Sequence, residues 1–211
     1  LLELRPESPL ARQEKSNLLL GYAQAAETAG YTDEALRIYQ EALPKAEAIE
    51  GLKRLQTDPY KLGNVFLQSR LYQAALDALN GNVAPSIEGP AQAGIGNHKQ
   101  ALEAYEQWLS EEPNNQTAQL GKAWQNFYLG DNETADALFS QVGGSEVLLG
   151  RALIARKRDD IEAAVSYLQQ SGNPDHLWLA SGYLEAKDRF QDVLPVYLQL
   201  AQGSSKLSDD A

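Results

Sequence analysis

The chain has 211 residues, of which 43% are hydrophobic and 22% are charged, a balance that is ordinary for a globular fold and too apolar for general disorder. Its net charge of −11 argues against nucleic acid as a partner, because phosphate counterions are displaced by a basic surface. The lack of cysteine excludes disulfides, thiolate nucleophiles and iron–sulfur clusters. It leaves the localisation unknown, since cytoplasm and periplasm both suit such a chain. No apolar run approaches the ~20 residues of a membrane-spanning helix, so direct membrane insertion is not predicted.

A short signature recurs along the chain, and it consists of a turn followed by a helix. In that helix a small residue, here called the marker, is followed four places later by an aromatic residue or a leucine. The first copy runs from Gly30 to Ala35 and reaches Tyr39. The six markers are Ala35, Ala75, Ala101, Ala135, Ala164 and Val193, spaced by 40, 26, 34, 29 and 29 residues. A period of this length predicts a repeat architecture.

Each marker is preceded by another small residue twelve places earlier. These residues are Ala23, Gly63, Gly89, Ala123, Ala152 and Ser181. Small residues at both places let two antiparallel helices approach closely, while leucines and tyrosines at three- and four-residue steps fill the seam. No strand-like alternation competes with this pattern, so it predicts an all-α chain of helix pairs. Gly30 and Gly130 suit helix C-termini, and Thr32 and Asn132 are predicted to cap the helices that follow.

Two intervals between markers are irregular. The longest contains an extra segment, 44–57, whose apolar spacing predicts one or two additional helical turns. The shortest contains Gly81 to Pro85 and Gly89-Pro90, which break helices. Either its first helix is stunted or residues are missing from the sequence, and we favour missing residues. Residues 81–95 are therefore predicted to be the most mobile stretch, with few helical hydrogen bonds and little burial.

Several of these segments resemble the tetratricopeptide repeat family. They are Gly30-Tyr31, Leu62-Gly63, Gly96-Asn97-His98 with Ala101, and Glu111-Glu112-Pro113-Asn114-Asn115. The resemblance implies a right-handed superhelical solenoid of about six antiparallel helix pairs, in a single domain over 1–211. The repeats are expected at about 9–43, 56–81, 82–113, 116–142, 145–171 and 174–203. Leu1–Pro6 and Ser208–Asp210 look like parts of neighbouring repeats, so we expect a piece of a longer array.

Residues that could carry chemistry are sparse. His98 and His176 lie on different predicted repeats without a local partner, so they are expected to be solvated histidines in turns. The basic cluster, Arg151 with Arg156-Lys157-Arg158, could receive an acidic partner segment, but stabilisation of a helix C-terminus is favoured. No catalytic residue, cofactor site or metal site is predicted.

The tryptophans are the strongest candidates for a binding surface. Trp108 is expected to pack, and Trp124 is core in one register of its helix and groove-lining in another. Trp178 lies beside the packing face of its helix and is expected to point toward the inner surface, although a repeat-seam role is equally compatible. On this register the groove-lining residues are Gln24, Glu27, Tyr60, Asn64, Gln68, Leu153, Arg156, Trp178 and Glu185. Trp178 would anchor a partner, Arg156 would select charge, and the amides would hydrogen-bond an extended backbone.

The resemblance implies a non-catalytic scaffold that binds a protein or peptide segment on its concave face. A second possibility is a scaffold arm of a larger bacterial protein of the periplasm or envelope, in polysaccharide export, secretion or cell-wall synthesis. A third is a structural solenoid that self-associates through its open ends.

Overall fold

The structure is a computed structural model that describes the backbone of residues 8–209 and the side chains of residues 8–202. Within this range the chain forms thirteen α-helices and no strand, which confirms the all-α prediction. They are α1 (Pro9–Thr28), α2 (Thr32–Glu41), α3 (Ala46–Leu55), α4 (Pro59–Gln68), α5 (Tyr72–Leu79), α6 (Pro85–Gly94), α7 (His98–Glu111), α8 (Gln116–Leu129), α9 (Asn132–Phe139), α10 (Ser145–Lys157), α11 (Ile161–Ser171), α12 (Pro174–Glu185) and α13 (Phe190–Asp209). The predictions for Leu1–Pro6 and Asp210 lie outside the described residues. Ser208 lies within α13 and does not begin a new helix.

The chain divides into two compact units, 1–104 and 105–211, with the boundary inside α7. In the first unit α1 packs on α2, α2 on α3, α4 on α5, and α6 on both α4 and α5. In the second unit α8 packs on α9, α10 on α11, and α12 on both α11 and α13. Five of the predicted helix pairs therefore lie wholly within one unit.

The small residues that the sequence pattern singled out lie at the seams between paired helices. All six markers are buried, as are all six small residues of the preceding helices. Ala23 and Ala35, for example, are both fully buried. A larger side chain at either place would push the paired helices apart, so the seam depends on these residues.

The turn inside each repeat has the same backbone conformation. Five residues before each marker the chain adopts a positive φ, between 57° and 93°, at Gly30, Arg70, Gly96, Gly130, Asp159 and Asp188. Gly130 ends α8 as predicted. The predicted caps are one residue out: Tyr31, without a side-chain bond, precedes α2, and Asp131 caps α9 by accepting from the Thr134 N–H at 3.1 Å.

The shortest interval forms a helix, so the expectation of few helical hydrogen bonds and little burial in this stretch is wrong. Pro85 stands in the first turn of α6, where its missing N–H costs nothing. Glu88 accepts a hydrogen bond from the Ala84 N–H at 2.9 Å, and Ile87 and Ala91 are buried against α4 and α5. This first helix has ten residues, as many as α4, so it is not stunted, and no missing residues are needed to bury it.

The longest interval forms a complete helix, α3. It has ten residues, or about three turns, and so exceeds the predicted one or two. Ala48 and Leu52 are buried, and Gly51 lies against the ring of Tyr39 on α2. The extra helix thus covers α2 as the first helix of a further repeat would.

Three aromatic rings lie on glycines of the helix that follows, and we call each contact an aromatic-on-glycine joint. The pairs are Tyr39 with Gly51, Tyr105 with Gly121, and Phe139 with Gly150, and each ring stands four residues after its marker. A Cβ at these glycines would lie 2.5, 2.3 and 2.4 Å from the ring, far inside van der Waals contact. The rings are 1%, 5% and 0% exposed, so they have no free space into which to move. A fourth glycine, Gly94, lies under Tyr72 in a different register.

Replacing Gly150 by alanine should overpack the joint with Phe139. We expect the free energy of unfolding to fall by about 1–3 kcal/mol, although alanine is the better helix former by ~1 kcal/mol. Gly182→Ala in α12 is the matched control, because no described atom outside its own stretch of helix lies within 4 Å of its Cβ position, and it should raise stability. Urea unfolding followed by circular dichroism measures both. Equal midpoints for the two variants would contradict the joint.

Candidate functional site

Glu27, a predicted groove residue of the first unit, is held by hydrogen bonds from two other helices of the chain. Its carboxylate accepts a hydrogen bond from the Tyr39 hydroxyl at 2.7 Å, and it accepts from Arg54 Nε and Nη2 at 2.6 and 2.7 Å. Bidentate guanidinium pairing of this kind favours the ionised acid. The hydrogen bonds from Arg54, and then from Tyr39, lower the pKa of Glu27 to about 2. Glu27 therefore ties α1, α2 and α3 together.

This network makes stability depend on pH. A carboxyl group whose pKa is depressed on folding stabilises the fold above its unfolded pKa of 4.5, and the contribution is lost as pH falls toward 2. Glu27→Gln should therefore lower the free energy of unfolding by about 1 kcal/mol at neutral pH. Its difference from the wild type should shrink as the pH falls through that window.

Urea titrations at neutral pH and near pH 3 measure the effect. Glu50→Gln on α3 is the control, because that carboxylate makes a single exposed ion pair with Lys53 at 3.1 Å. A wild-type minus Glu27→Gln difference that stays constant with pH would contradict the network.

The other predicted residues of the first unit are exposed on two first helices. Gln24 lies on α1, while Tyr60, Asn64 and Gln68 follow one another at four-residue steps along α4. Tyr60 is 46% exposed, and Asn64 Nδ2 donates to its carbonyl oxygen at 3.0 Å. The amide nitrogen of Asn64 is thus engaged locally, and its carbonyl oxygen is the group suited to accept from a partner backbone.

In the second unit, α12 presents an exposed stripe that we call the Trp178 stripe. It consists of Asp175, Trp178, Gly182 and Glu185, all exposed. Trp178 is 59% exposed, and its ring meets the Tyr197 ring on α13 edge-on, with 5.7 Å between centroids. The Tyr197 hydroxyl donates to Glu185 Oε1 at 2.7 Å, which raises the pKa of Tyr197. Tyr197 thus braces Trp178 and Glu185 together.

Arg156 and Leu153 of α10 occupy different environments. The Arg156 guanidinium is exposed and lies over the Tyr183 ring of α12, 4.9 Å from its centroid. Burial raises the pKa of Tyr183, and the nearby Arg156 charge lowers it to a smaller extent. Leu153 is half-buried and packs against the core around Phe139. Leu153 therefore contributes to the core, and Arg156 is the α10 residue with an exposed charge beside α12.

The rest of the basic cluster contacts neighbouring elements instead of only closing its own helix. Arg151 Nε lies 3.0 Å from Asp136 Oδ1, and Arg158 Nη1 lies 3.5 Å from Asp136 Oδ2. The Lys157 ammonium stands 3.8 Å from the centre of the Phe127 ring. These cations fasten α10 to α8 and α9, so Arg156 alone among the four is directed to α12.

His176 and Trp124 are both packed against neighbouring side chains. His176 is only 8% exposed, so the expectation of a solvated histidine is wrong for it. Its Nδ1 lies 2.8 Å from Ser171 Oγ, while that hydroxyl donates to the Leu168 carbonyl at 2.7 Å. The Ser171 hydroxyl therefore lies within hydrogen-bond distance of both the Leu168 carbonyl and the His176 ring. Trp124 packs edge-on against Phe139 at 5.1 Å, which confirms its core register.

The remaining predictions concern Trp108, His98, metal sites and membrane spans. Trp108 is half-buried and stacks on Tyr105, and His98 is half-buried at the first residue of α7. Across the described residues, no cluster of three or more acidic, histidine or cysteine side chains could hold a metal ion. None of the helices in that part of the chain is long and apolar enough to span a membrane.

The chain is similar to known proteins in its structure and matches none by its sequence. No protein-family model matches the chain, and no curated protein sequence matches it. Among solved structures, YrrB, described as a tetratricopeptide repeat protein with an unusual peptide-binding site, is 19% identical, with 81% of this chain and 90% of YrrB covered and a TM-score of 0.50. MamA from Desulfovibrio magneticus RS-1 is 15% identical, with 91% and 96% covered and a TM-score of 0.47. The chain has the helix-pair fold of tetratricopeptide repeat proteins, as its repeat signature predicted.

Proposed function

We propose that this chain is a non-catalytic scaffold that binds a segment of another protein, with the Trp178 stripe as the principal contact. The observation that carries the proposal is the 59% exposure of Trp178 together with its support by Tyr197. A large ring that is already held in place loses little side-chain entropy on binding, and tryptophan is enriched among residues that dominate interfaces.

The chemistry of the partner segment follows from the groups beside Trp178 and on α10. Trp178 suits an aromatic or aliphatic side chain, and the Arg156 guanidinium suits a carboxylate. The guanidinium lies over the Tyr183 ring, and an arginine in such a position carries several N–H donors in one plane that match a carboxylate. We therefore propose a peptide that carries an apolar residue and an acidic residue. YrrB, which shares the fold, is described as having a peptide-binding site, and this is consistent with the proposal.

Asn64 and Gln68 on α4 would make hydrogen bonds to the backbone of a bound segment in the first unit. Their exposure and four-residue spacing support this role. Gln24 and Tyr60 are exposed on α1 and α4 and would contribute side contacts. Glu27 and Leu153 are proposed to act indirectly, by holding the helices that carry the contact residues.

Trp178→Ala should weaken the binding of such a peptide by ~2 kcal/mol or more, about thirtyfold, without lowering the melting temperature. The probe is a displayed library of random peptides selected on the wild-type chain, and the selected peptides are then titrated by calorimetry. Tyr31→Ala is the matched control, because Tyr31 is an exposed aromatic residue, at 69%, in the first unit. Peptides that bind Trp178→Ala with wild-type affinity would contradict the stripe. So would a Trp178→Ala chain that binds normally but melts early.

Arg156→Glu should slow association of the selected acidic peptides and reverse the salt dependence of the rate, because the charge acts mainly during encounter. Stopped-flow measurement of the tryptophan fluorescence at several salt concentrations gives the association rate. Lys53→Glu on α3 changes the charge equally in the other unit and is the control. Equal association rates for wild type and Arg156→Glu would exclude Arg156 as the charge-selective contact.

A further inference from the structure

The residue four places after each marker is buried in every repeat except the last. Tyr39, Leu79, Tyr105, Phe139 and Leu168 are between 0% and 5% exposed, whereas Tyr197 is 38% exposed. Tyr197 lies on a contiguous apolar face of α13, with Phe190, Leu194 and Leu198 exposed by 64%, 62% and 54%. We call these four residues the α13 outer face. In the three joints described above, the ring lies on this same side of the second helix of a pair.

Tyr197 is built in the same way as the ring of the first joint. The Tyr39 hydroxyl donates to Glu27, twelve residues earlier, at 2.7 Å, and the Tyr197 hydroxyl donates to Glu185, also twelve residues earlier, at 2.7 Å. In the first joint α3 then covers the ring with Gly51 and binds the carboxylate with Arg54. The last repeat therefore has the ring and the carboxylate of a joint without the covering helix in the described part of the chain.

The glycine side of an aromatic-on-glycine joint is present on α1. Gly121 and Gly150 stand two residues before the small residues Ala123 and Ala152, and Gly21 stands two residues before Ala23. Gly121 and Gly150 lie under rings, whereas no described atom outside its own stretch of helix lies within 4 Å of the Cβ position of Gly21. Gly21 is thus a joint glycine without a ring.

The flanks of Gly21 are apolar and exposed where the flanks of Gly51 are buried. Ala48 and Leu52, three residues before and one after Gly51, are 0% and 1% exposed. Leu18 and Tyr22, at the same offsets from Gly21, are 62% and 66% exposed. Exposed apolar residues that form one face indicate an interaction surface.

We infer that the chain self-associates head to tail, with the α13 outer face of one copy covered by α1 of a second copy through an aromatic-on-glycine joint. Tyr197 lies on the second copy's Gly21, and Leu18 and Tyr22 cover Leu194 and Phe190. Gln24, three residues after Gly21 as Arg54 is after Gly51, donates its amide N–H to Glu185. The second copy is the preferred occupant because the matching glycine, flanks and polar residue are all present on α1 of the same chain.

Such a contact is heterologous, because it joins two different surfaces, so it propagates into rings or open chains instead of stopping at a dimer. Sedimentation velocity of the 211-residue chain should show an average mass that increases with concentration beyond two copies. Gly21→Leu fills the glycine position, and Tyr197→Ala removes the ring. Each variant alone should remain monomeric at concentrations where the wild type associates.

Mixing the two variants provides the decisive measurement. The Tyr197→Ala chain keeps Gly21, and the Gly21→Leu chain keeps Tyr197, so an equimolar mixture can form one joint and should stop at a heterodimer. Gly143→Leu, at an exposed glycine outside both surfaces, and Tyr31→Ala are the controls for the two substitutions and should associate like the wild type. Leu18→Lys and Leu194→Lys form a second complementary pair, in case Tyr197→Ala unfolds α13, and circular dichroism verifies folding.

Three results would overturn the inference. They are a wild-type chain that stays monomeric to its solubility limit, association that survives both Gly21→Leu and Tyr197→Ala, and a mixture of the variants that forms no heterodimer. Monomeric wild type would mean that another protein or a further helix covers the α13 outer face. Gly21→Leu leaves the Trp178 stripe intact, so peptide binding by this variant tests the proposed function separately.

Discussion

Close approach between helices is the constraint on which this fold depends, and it is met by the absence of side-chain atoms at chosen places. Small residues on both helices of a pair allow the two helices to approach closely along their seam. Between successive pairs the same principle takes a different form, because a ring from one helix fills the space that a glycine leaves on the next. The rings of Tyr39, Tyr105 and Phe139 are almost fully buried by such contacts. A packed interior transmits any change of volume, so these glycines set the spacing of the helices.

Charged side chains then connect the helices that the small residues allow to approach. The Glu27 carboxylate joins three helices, and the cations near the end of α10 contact a ring and a carboxylate of α8 and α9. Cations over aromatic faces keep their charge hydrated at the edge while covering apolar surface. In an acidic chain this arrangement occupies most of the basic cluster, which distinguishes Arg156 as the member that is exposed beside α12.

Glu27 and Glu185 illustrate how one position can serve two purposes. Both lie four residues after the small residue of a first helix, and both accept a hydrogen bond from a tyrosine hydroxyl twelve residues later. A following helix covers the first tyrosine, and the carboxylate becomes a structural fastening. The second tyrosine is open, and the same arrangement becomes a braced surface with Trp178 beside it. Burial by the next helix, and not the identity of the residues, separates the packed tyrosine from the exposed one here.

The sequence by itself determined the helix pairs, because the twelve-residue offset between small residues and the marker period are local consequences of helical geometry. It also indicated that Trp178 would be exposed, since the packing face of α12 could be read from its own spacing. It could not show that α3 is a full helix over Tyr39, that α6 forms despite two prolines, or that His176 is buried against Ser171. Each of these depends on apolar surface supplied by other helices, which outweighs weak local propensity. Likewise, only the tertiary structure decided that Glu27 and Leu153 contact other helices and that Tyr197 and Gly21 are left exposed by the described residues, because burial is a property of the assembled neighbours and not of the residue.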